Sequence, residues 1–137
     1  MTSASKHHGT CLCGEVRFEV VLDLSKGSRC NCTWCTKLGV TASLVKPAAF
    51  TLLSEEATLA SFTRTPEVGH RFFCARCHVY CFSRGHLEML GGDFVSVNLN
   101  SLDGFDASQA EIVYWDGRHD NWNAGPRPQP WPISAAG

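Results

Sequence analysis

Seven of the eight cysteines fall in three short clusters, and no other feature constrains the chain as strongly. The clusters are C-x-C at Cys11 and Cys13, C-x-C-x-x-C at Cys30, Cys32 and Cys35, and C-x-x-C at Cys74 and Cys77. The chain starts MTSASKHHGTCLCG, without the apolar segment of a secretion signal. We therefore expect a cytoplasmic protein. Because cytoplasmic thiols are kept reduced, the clusters predict metal ligation rather than a disulfide scaffold.

The bulk composition is typical of one small, nearly neutral domain. The 137 residues fit a single zinc-binding domain over 1–137. A charged share of 18% and a formal net charge of −1 exclude a basic nucleic-acid-binding surface. No stretch approaches the roughly 18 apolar residues that a membrane span needs. We expect neither nucleic acid nor membrane as a partner, and the sequence does not indicate an oligomeric state.

Alternating apolar residues predict a mainly β fold with little helix. Segment 15–22 has the period of a half-buried strand, with apolar side chains at Val16, Phe18, Val20 and Leu22. Further short apolar runs are spaced like the strands of an all-β domain, at 39–45, 49–53, 57–63, 70–74, 79–83, 94–99 and 111–115. No helical stripe exceeds two turns, and only 101–105 favours a short turn of helix.

The two ends of the chain are expected to differ from its body. Residues 1–9 are expected to form a mobile tail. The last residues, 125–137, are predicted to be an extended strap because they carry a proline at every second position, at Pro126, Pro128, Pro130 and Pro132. Trp131 and Ile133 are expected to attach this strap to the body.

The two outer cysteine pairs, 11/13 and 74/77, match the pattern of a structural zinc site. Tetrahedral zinc commonly takes four thiolates delivered as two short pairs. Both pairs stand at predicted strand boundaries, where backbone N–H groups can point at the sulfurs. Buried thiols are one alternative, and a redox pair is another, disfavoured because no βαβ pattern surrounds Cys74 and Cys77. Such zinc sites contribute about 10 to 16 kcal/mol, against about 5 to 15 for a whole domain, so losing this one should unfold the protein.

The middle trio, Cys30, Cys32 and Cys35, is expected to behave differently. Three closely spaced thiolates hold one face of a tetrahedron and leave a fourth position, which is the pattern of a catalytic zinc. A thiolate-rich zinc suits a water or a substrate thiolate there. The open alternative is that Cys81 or a histidine completes the tetrahedron and makes both zinc ions structural. Trp34, inside the trio, either walls a pocket or packs on the core.

At these residues the sequence resembles the glutathione-dependent formaldehyde-activating enzyme (Gfa) family, which also includes centromere protein V. The similarity runs from GTCLCGEVRFEV through CNCTWCTK and FFCARC to YWDGRHDNWNAGPRPQPWPI, nearly the whole chain. The order of the seven cysteines makes it specific. The chain departs from the family pattern at His78, where many relatives have glycine, and at the additional Cys81.

The resemblance implies a zinc-bearing β-tent of small antiparallel sheets. It implies a structural zinc on the outer pairs and a catalytic zinc on the trio, hence two zinc ions. The implied activity is that of an S-(hydroxymethyl)glutathione synthase or a related carbon–sulfur lyase. Its substrate would be an adduct of a small thiol, such as glutathione, with formaldehyde or a related carbonyl.

The densest polar and aromatic run, WDGRHDNW at 115–122, supplies the candidate acid-base residues. His119 is the candidate for proton transfer and Arg118 for holding a substrate carboxylate, with His70, His78 and His86 next. The alternative is a hydrogen-bonded surface loop.

Two other functions stay open. One is a binding module with two structural zinc ions, as the β-tent fold provides in a chaperone of small GTPases. The other is a chromatin or microtubule factor, disfavoured because the chain lacks a basic extension.

Overall fold

The computed structural model describes residues 4–134 and confirms a mainly β fold with little helix. The strands are β1 (Ser5–Thr10), β2 (Arg17–Leu22), β3 (Lys26–Cys30), β4 (Ala42–Val45), β5 (Phe50–Leu52), β6 (Leu59–Phe62), β7 (Gly69–Cys74), β8 (Tyr80–Leu87), β9 (Gly92–Asn98) and β10 (Glu111–Trp115). One α-helix, α1 (Thr33–Leu38), lies in this range. The short helical turn expected at 101–105 is not formed there; a 3-10 turn lies at Leu99–Ser101 and shares only Ser101 with that range. None of the helices in the described part of the chain has the length and apolar character to cross a membrane.

The strands form two sheets. The smaller has the order β1-β2-β5, and the larger has the order β10-β3-β4-β9-β8-β7-β6. All neighbours are antiparallel except β3 and β10, which run parallel from Lys26 beside Glu111 to Cys30 beside Trp115. The carboxyl ends of these two strands therefore meet at one edge, where β3 leads into the trio and β10 into the 115–122 run.

One apolar cluster joins the two sheets. Phe18 of β2 is fully buried and packs against the rings of Phe50 and Phe82, at centroid distances of 5.2 and 5.9 Å. The predicted alternation of β2 is confirmed, because Phe18, Val20 and Leu22 are buried while its first residue, Arg17, is exposed. Each such side chain stabilises the fold by about 1.5–3 kcal/mol relative to exposure. Cys11 and Cys74 belong to the same cluster, so the outer cysteine pairs are anchored in the core.

Residues 5–9 are not the mobile tail expected for 1–9. They form most of strand β1, which pairs antiparallel with β2 from Ser5 beside Leu22 to Thr10 beside Arg17. The sequence SKHHGT lacks apolar alternation, so its order comes from backbone hydrogen bonds to β2 rather than from side-chain burial. Residues 1–3 lie outside the described range.

The C-terminal strap is attached through its arginine and tryptophan. Arg127 forms an antiparallel bridge with Tyr114, and Trp131 Nε1 donates to the Tyr114 carbonyl at 2.8 Å. The Arg127 guanidinium lies 3.8 Å above the Trp131 ring centroid. Ile133, also expected to attach the strap, remains 48% exposed. Trp131 therefore supplies the expected anchor, and residues 135–137 lie outside the described range.

Candidate metal centres

Four sulfur atoms from two distant parts of the chain converge in a group that we call the quartet. Their Sγ atoms lie within 4.8 Å of one another, on Cys11, Cys13, Cys74 and Cys77. Cys13 Sγ stands 3.6 Å from Cys11 Sγ and from Cys74 Sγ. A tetrahedral zinc with Zn–S bonds of about 2.3 Å would separate its sulfurs by about 3.8 Å. All eight cysteines are free thiols, so the quartet has the spacing and the donor chemistry of a closed zinc site.

Backbone N–H groups point at the sulfurs of the quartet. Val16 N donates to Cys11 Sγ, and Arg76 N and Cys77 N donate to Cys74 Sγ, each at 3.3 Å. Burial raises the pKa of Cys74, but these two N–H groups, together with hydrogen bonds from the Cys11 and Cys13 thiols, outweigh it, and the pKa falls below its usual value. A hydrogen bond from the Val79 backbone is the main cause that lowers the pKa of Cys77 to about 6. The turn thus stabilises the thiolates that a metal needs.

The two departures beside this turn have separate structural roles. His78 adopts a left-handed conformation with φ 65°, the region that favours glycine, and its N–H donates to the Cys74 carbonyl at 2.9 Å. The Cys81 thiol is buried, donates to the Val79 carbonyl at 3.4 Å, and has a pKa raised by burial to about 12. Within residues 4–134, neither side chain joins a metal-ligating group.

The trio sits where β3 passes into α1. Its three sulfurs, on Cys30, Cys32 and Cys35, lie within 4.8 Å of one another, and the described residues provide no fourth ligand. Cys32 caps the helix by accepting from Cys35 N at 3.4 Å. Gly39 ends the helix in a left-handed conformation, φ 64°. This short capped helix fixes two of the sulfurs although none of its residues is buried.

Hydrogen bonding among the three thiols favours one thiolate. The Cys30 and Cys35 thiols are the main cause that lowers the pKa of Cys32 to about 2. The Cys35 backbone N–H and the charge of Arg71 act in the same direction, and burial opposes them. The pKa values of Cys30 and Cys35 are raised in turn, chiefly by these same hydrogen bonds. The trio is a soft donor set with one thiolate already favoured, which suits zinc.

Asn31, between two cysteines of the trio, fastens the loop that follows β10. Its Nδ2 donates to Asp116 Oδ1 at 2.8 Å, and its Oδ1 accepts from Arg118 N at 2.9 Å. Arg118 Nε donates to the Asn31 carbonyl at 2.8 Å. The Arg118 guanidinium therefore holds the backbone beside the trio. Its role in binding a substrate carboxylate stays a prediction.

His119 is paired with a buried carboxylate. Its Nδ1 lies 2.7 Å from Asp116 Oδ1, and Asp116 also accepts from Asn121 Nδ2 at 3.2 Å. Burial raises the pKa of Asp116, but the hydrogen bonds from Asn31, His119 and Asn121 prevail and lower it. Among the residues described, Arg118 and His119 are not part of the wall of the cleft beside the trio. The acid-base role of His119 stays a prediction.

A cleft of about 580 Å³ opens beside the trio, and Cys30 and Cys35 form part of its wall. This volume is in the range of small-molecule sites. Trp34 also lines it, with its ring 5.3 Å from that of Phe62 and beneath the Arg71 guanidinium at 4.8 Å. Trp34 therefore walls a pocket, the first of the two roles considered for it.

Sequence reasoning missed most of the polar residues of this wall, among them two that lie close together. Arg71 and Tyr80 both line the cleft, with Arg71 Nη1 3.5 Å from the Tyr80 hydroxyl. Both lie in segments identified only as strands, where no motif marks a site. Of the further candidates, His70 lines the cleft, whereas His86 pairs with Asp93 at 2.7 Å on the β8–β9 hairpin.

Comparison with known proteins agrees with this arrangement. The family model described as glutathione-dependent formaldehyde-activating enzyme matches residues 6–118, which include all seven clustered cysteines and Arg118. The crystal structure of a Rhodobacter sphaeroides protein is similar, with a TM-score of 0.66 and 21% identity over 81% of this chain and 100% of that chain. At this level of sequence identity, the similarity shows the fold alone. The family match covers most of the chain, and the chain therefore belongs to the glutathione-dependent formaldehyde-activating enzyme family.

Proposed function

We propose that this protein is a cytoplasmic zinc-dependent carbon–sulfur lyase of the S-(hydroxymethyl)glutathione synthase type. Its substrate is the adduct of glutathione, or of another small thiol, with formaldehyde or a related carbonyl. One observation carries the proposal: three sulfurs within 4.8 Å of one another form part of the wall of a cleft of about 580 Å³, with no fourth ligand in residues 4–134.

The two clusters are proposed to hold one zinc ion each, with different roles. The quartet has four sulfurs, two of them on core residues, and is the structural site. The trio has three sulfurs on a cleft and is the catalytic site. Zinc bound there would lower the pKa of a substrate thiol and hold its sulfur beside the carbonyl carbon.

The reaction needs a group that stabilises charge on the carbonyl oxygen. In the synthetic direction the sulfur bonds to the carbonyl carbon, the C=O π electrons move to oxygen, and the proton lost by the thiol ends on that oxygen. Tyr80 lines the cleft, with its hydroxyl 3.5 Å from Arg71 Nη1, and burial raises the pKa of this hydroxyl, which keeps it a donor. We assign it to this oxygen, and His119, held by Asp116, is the proposed proton carrier.

Substitution of one trio cysteine tests the proposal directly. Cys32→Ser should keep the fold, lose one of two zinc ions and lose carbon–sulfur activity, measured as the exchange of formaldehyde with its glutathione adduct by NMR. Cys81→Ala is the matched control and should keep both ions and full activity. Full activity of Cys32→Ser with one zinc lost would overturn the proposal.

Two further variants separate the roles of the polar residues. Tyr80→Phe should lower kcat about 100-fold if its hydroxyl stabilises the oxygen. His119→Gln should lower kcat and change the pH dependence of kcat if the imidazole transfers the proton. A fall in stability without a change in that pH dependence would show that His119 holds the loop and does not transfer the proton.

The alternative is a binding module in which both zinc ions are structural. It draws support from apolar residues exposed at the rim of the cleft, such as Phe62 at 54% and Met89 at 75%. Cobalt substitution distinguishes the two functions. A thiol that changes the absorption spectrum of cobalt in the trio shows an open position, whereas a spectrum unchanged by thiols favours the binding module.

A further inference from the structure

The cleft beside the trio has arginine side chains and, among the residues described, no carboxylate in its wall. Its wall includes Arg64, Arg71, Arg84 and His70, and no carboxylate from residues 4–134. Arg84 is neutralised by Glu56, with Nη1 3.2 Å from Oε1. Arg64 and Arg71 have no carboxylate within 4.0 Å in the described part of the chain. Two guanidinium groups are thus available to an anion.

Arg71 is held in a position that suits a carboxylate. Its guanidinium lies 4.8 Å from the ring centroid of Trp34 and 6.0 Å from that of Tyr80. A planar guanidinium packed against aromatic rings keeps its N–H edge available for a two-point contact with a carboxylate. Arg71 and Trp34 share the cleft wall with Cys30 and Cys35, so we expect a carboxylate held by Arg71 to be close to the sulfur of the same ligand.

The negative charge of the trio offsets part of the positive charge of these arginines. Three thiolates around a divalent cation leave roughly one negative charge. A bound substrate thiolate would raise this to about two, which Arg64 and Arg71 together offset, so a carboxylate is held here by direct contact with a guanidinium rather than by net charge. Glutathione carries two carboxylates and an ammonium group, and the described wall offers that ammonium no acidic partner.

The rest of the wall is apolar and unusually exposed. Half of the ten exposed large apolar residues of the described chain line this one cleft: Leu44, Phe62, Met89, Leu90 and Trp122. Scattered exposed apolar residues are normal, but a convergent group marks a binding surface. A cleft of about 580 Å³ suits a small molecule rather than a protein segment.

We propose that this cleft selects a thiol, or its carbonyl adduct, that carries one carboxylate near the sulfur and an extended apolar chain. Arg71 holds the carboxylate, and the apolar chain lies along Leu44, Leu90 and Phe94. Such a ligand matches the apolar wall better than glutathione does, and it carries no ammonium group that would need an acidic partner. The inference rests on the proposed function, because that function places the sulfur at the trio.

Calorimetric titration of the zinc-loaded protein with four thiols tests this selection. The thiols are 2-sulfanyloctanoate, its alcohol analogue 2-sulfanyloctan-1-ol, the short acid 2-sulfanylpropanoate and glutathione. The expected result is that 2-sulfanyloctanoate binds about tenfold or more tightly than each of the others, because only it satisfies both the arginine and the apolar wall. Glutathione binding as tightly as 2-sulfanyloctanoate would overturn the inference and leave the proposed function intact.

Substitutions of single arginines test which residue contacts the carboxylate of the ligand. Arg71→Met should remove the preference for the acid over the alcohol, and Arg71→Lys should restore part of it. Arg76→Met, an exposed arginine paired with Glu15 beside the quartet, is the control and should keep the preference. An unchanged preference in a folded, zinc-loaded Arg71→Met protein would contradict the role of Arg71. If none of the four thiols binds the wild-type protein, the proposed function fails and this inference with it.

Discussion

Gly117 lies so close to Cys30 that a Cβ atom on the glycine would stand 2.5 Å from the cysteine sulfur and 2.7 Å from the Trp122 ring. Real side chains do not approach so closely. Because glycine has no side chain, the loop after β10 can pack directly against the trio. Gly117→Ala should therefore displace Cys30 and weaken zinc binding by the trio about 10- to 100-fold, measured by competition with a colorimetric chelator.

Gly104→Ala provides the matched control for that experiment. Gly104 has φ 82° and no atom within 4 Å of its absent Cβ. The alanine there should cost about 1–2 kcal/mol of stability through backbone strain and leave both zinc affinities unchanged. Equal loss of trio zinc in both variants would show that general destabilisation, not the contact with Cys30, is the cause.

Asn31→Ala should loosen the loop without removing any sulfur. The substitution deletes the side-chain bonds to Asp116 and Arg118, which hold the loop beside the trio. Second-layer contacts of this kind are worth 10- to 100-fold in metal affinity, so about that loss is expected at the trio and none at the quartet. Asn100→Ala, an exposed asparagine, is the control. Unchanged retention of both ions during chelator titration would contradict the role of Asn31.

Cys74→Ser should unfold the protein. Cys74 is fully buried in the core cluster, and its sulfur accepts two backbone N–H groups. A zinc ion held by the quartet would be worth about as much as the whole stability of a domain. Circular dichroism and NMR should show an unfolded chain, whereas Cys81→Ala should stay folded and lose only about 1 kcal/mol. A folded Cys74→Ser protein with two zinc ions would refute a structural role for the quartet.

The pair of His86 and Asp93 should make stability depend on pH. The hydrogen bond that His86 donates to Asp93 is the main cause that raises the pKa of His86. The charge of Asp93 and the Glu88 side chain add to it, and burial and Lys46 oppose it. Because the folded pKa is raised, the pair stabilises the folded protein fully below the unfolded value, near 6.5, and this stabilisation is lost as pH rises through the folded pKa.

NMR titration of wild type and Asp93→Asn checks this expectation. The His86 pKa should fall towards its usual value in the variant, and the difference in unfolding free energy should be larger at about pH 5 than at about pH 9. Asp103→Asn, at an exposed aspartate, should change neither. An identical His86 titration in wild type and Asp93→Asn would contradict the assignment.

The sequence predicts the strands that bury one face, because burial imposes a period of two on the side chains. It does not predict β1 or β3, since SKHHGT and KGSRC carry no such pattern and depend on pairing with neighbouring strands. Helix α1 buries no residue and is defined by its caps at Cys32 and Gly39, so it leaves no apolar stripe.

Each cysteine pair and the trio could be identified from sequence because short spacing along the chain implies short distance in space. The two outer pairs could be joined because tetrahedral zinc commonly takes its ligands as two short pairs. The cleft could not be identified in this way. Arg71 and Tyr80 reach it from two neighbouring strands, and Asn31 acquires its role only when β10 lies beside β3. The pairing of Cys30 with Trp115 depends on a long crossover connection between β3 and β10, which no local sequence pattern indicates.

The parallel pairing of β3 with β10 sets an order of events during synthesis. A growing chain on the ribosome contains all four sulfurs of the quartet once Cys77 has been added. The surroundings of the trio are complete only after β10 and the loop that follows it have been synthesised, since Trp115 pairs with Cys30 and Arg118 bonds to Asn31. Translation therefore allows the four sulfurs of the quartet to bind an ion before the surroundings of the trio are complete.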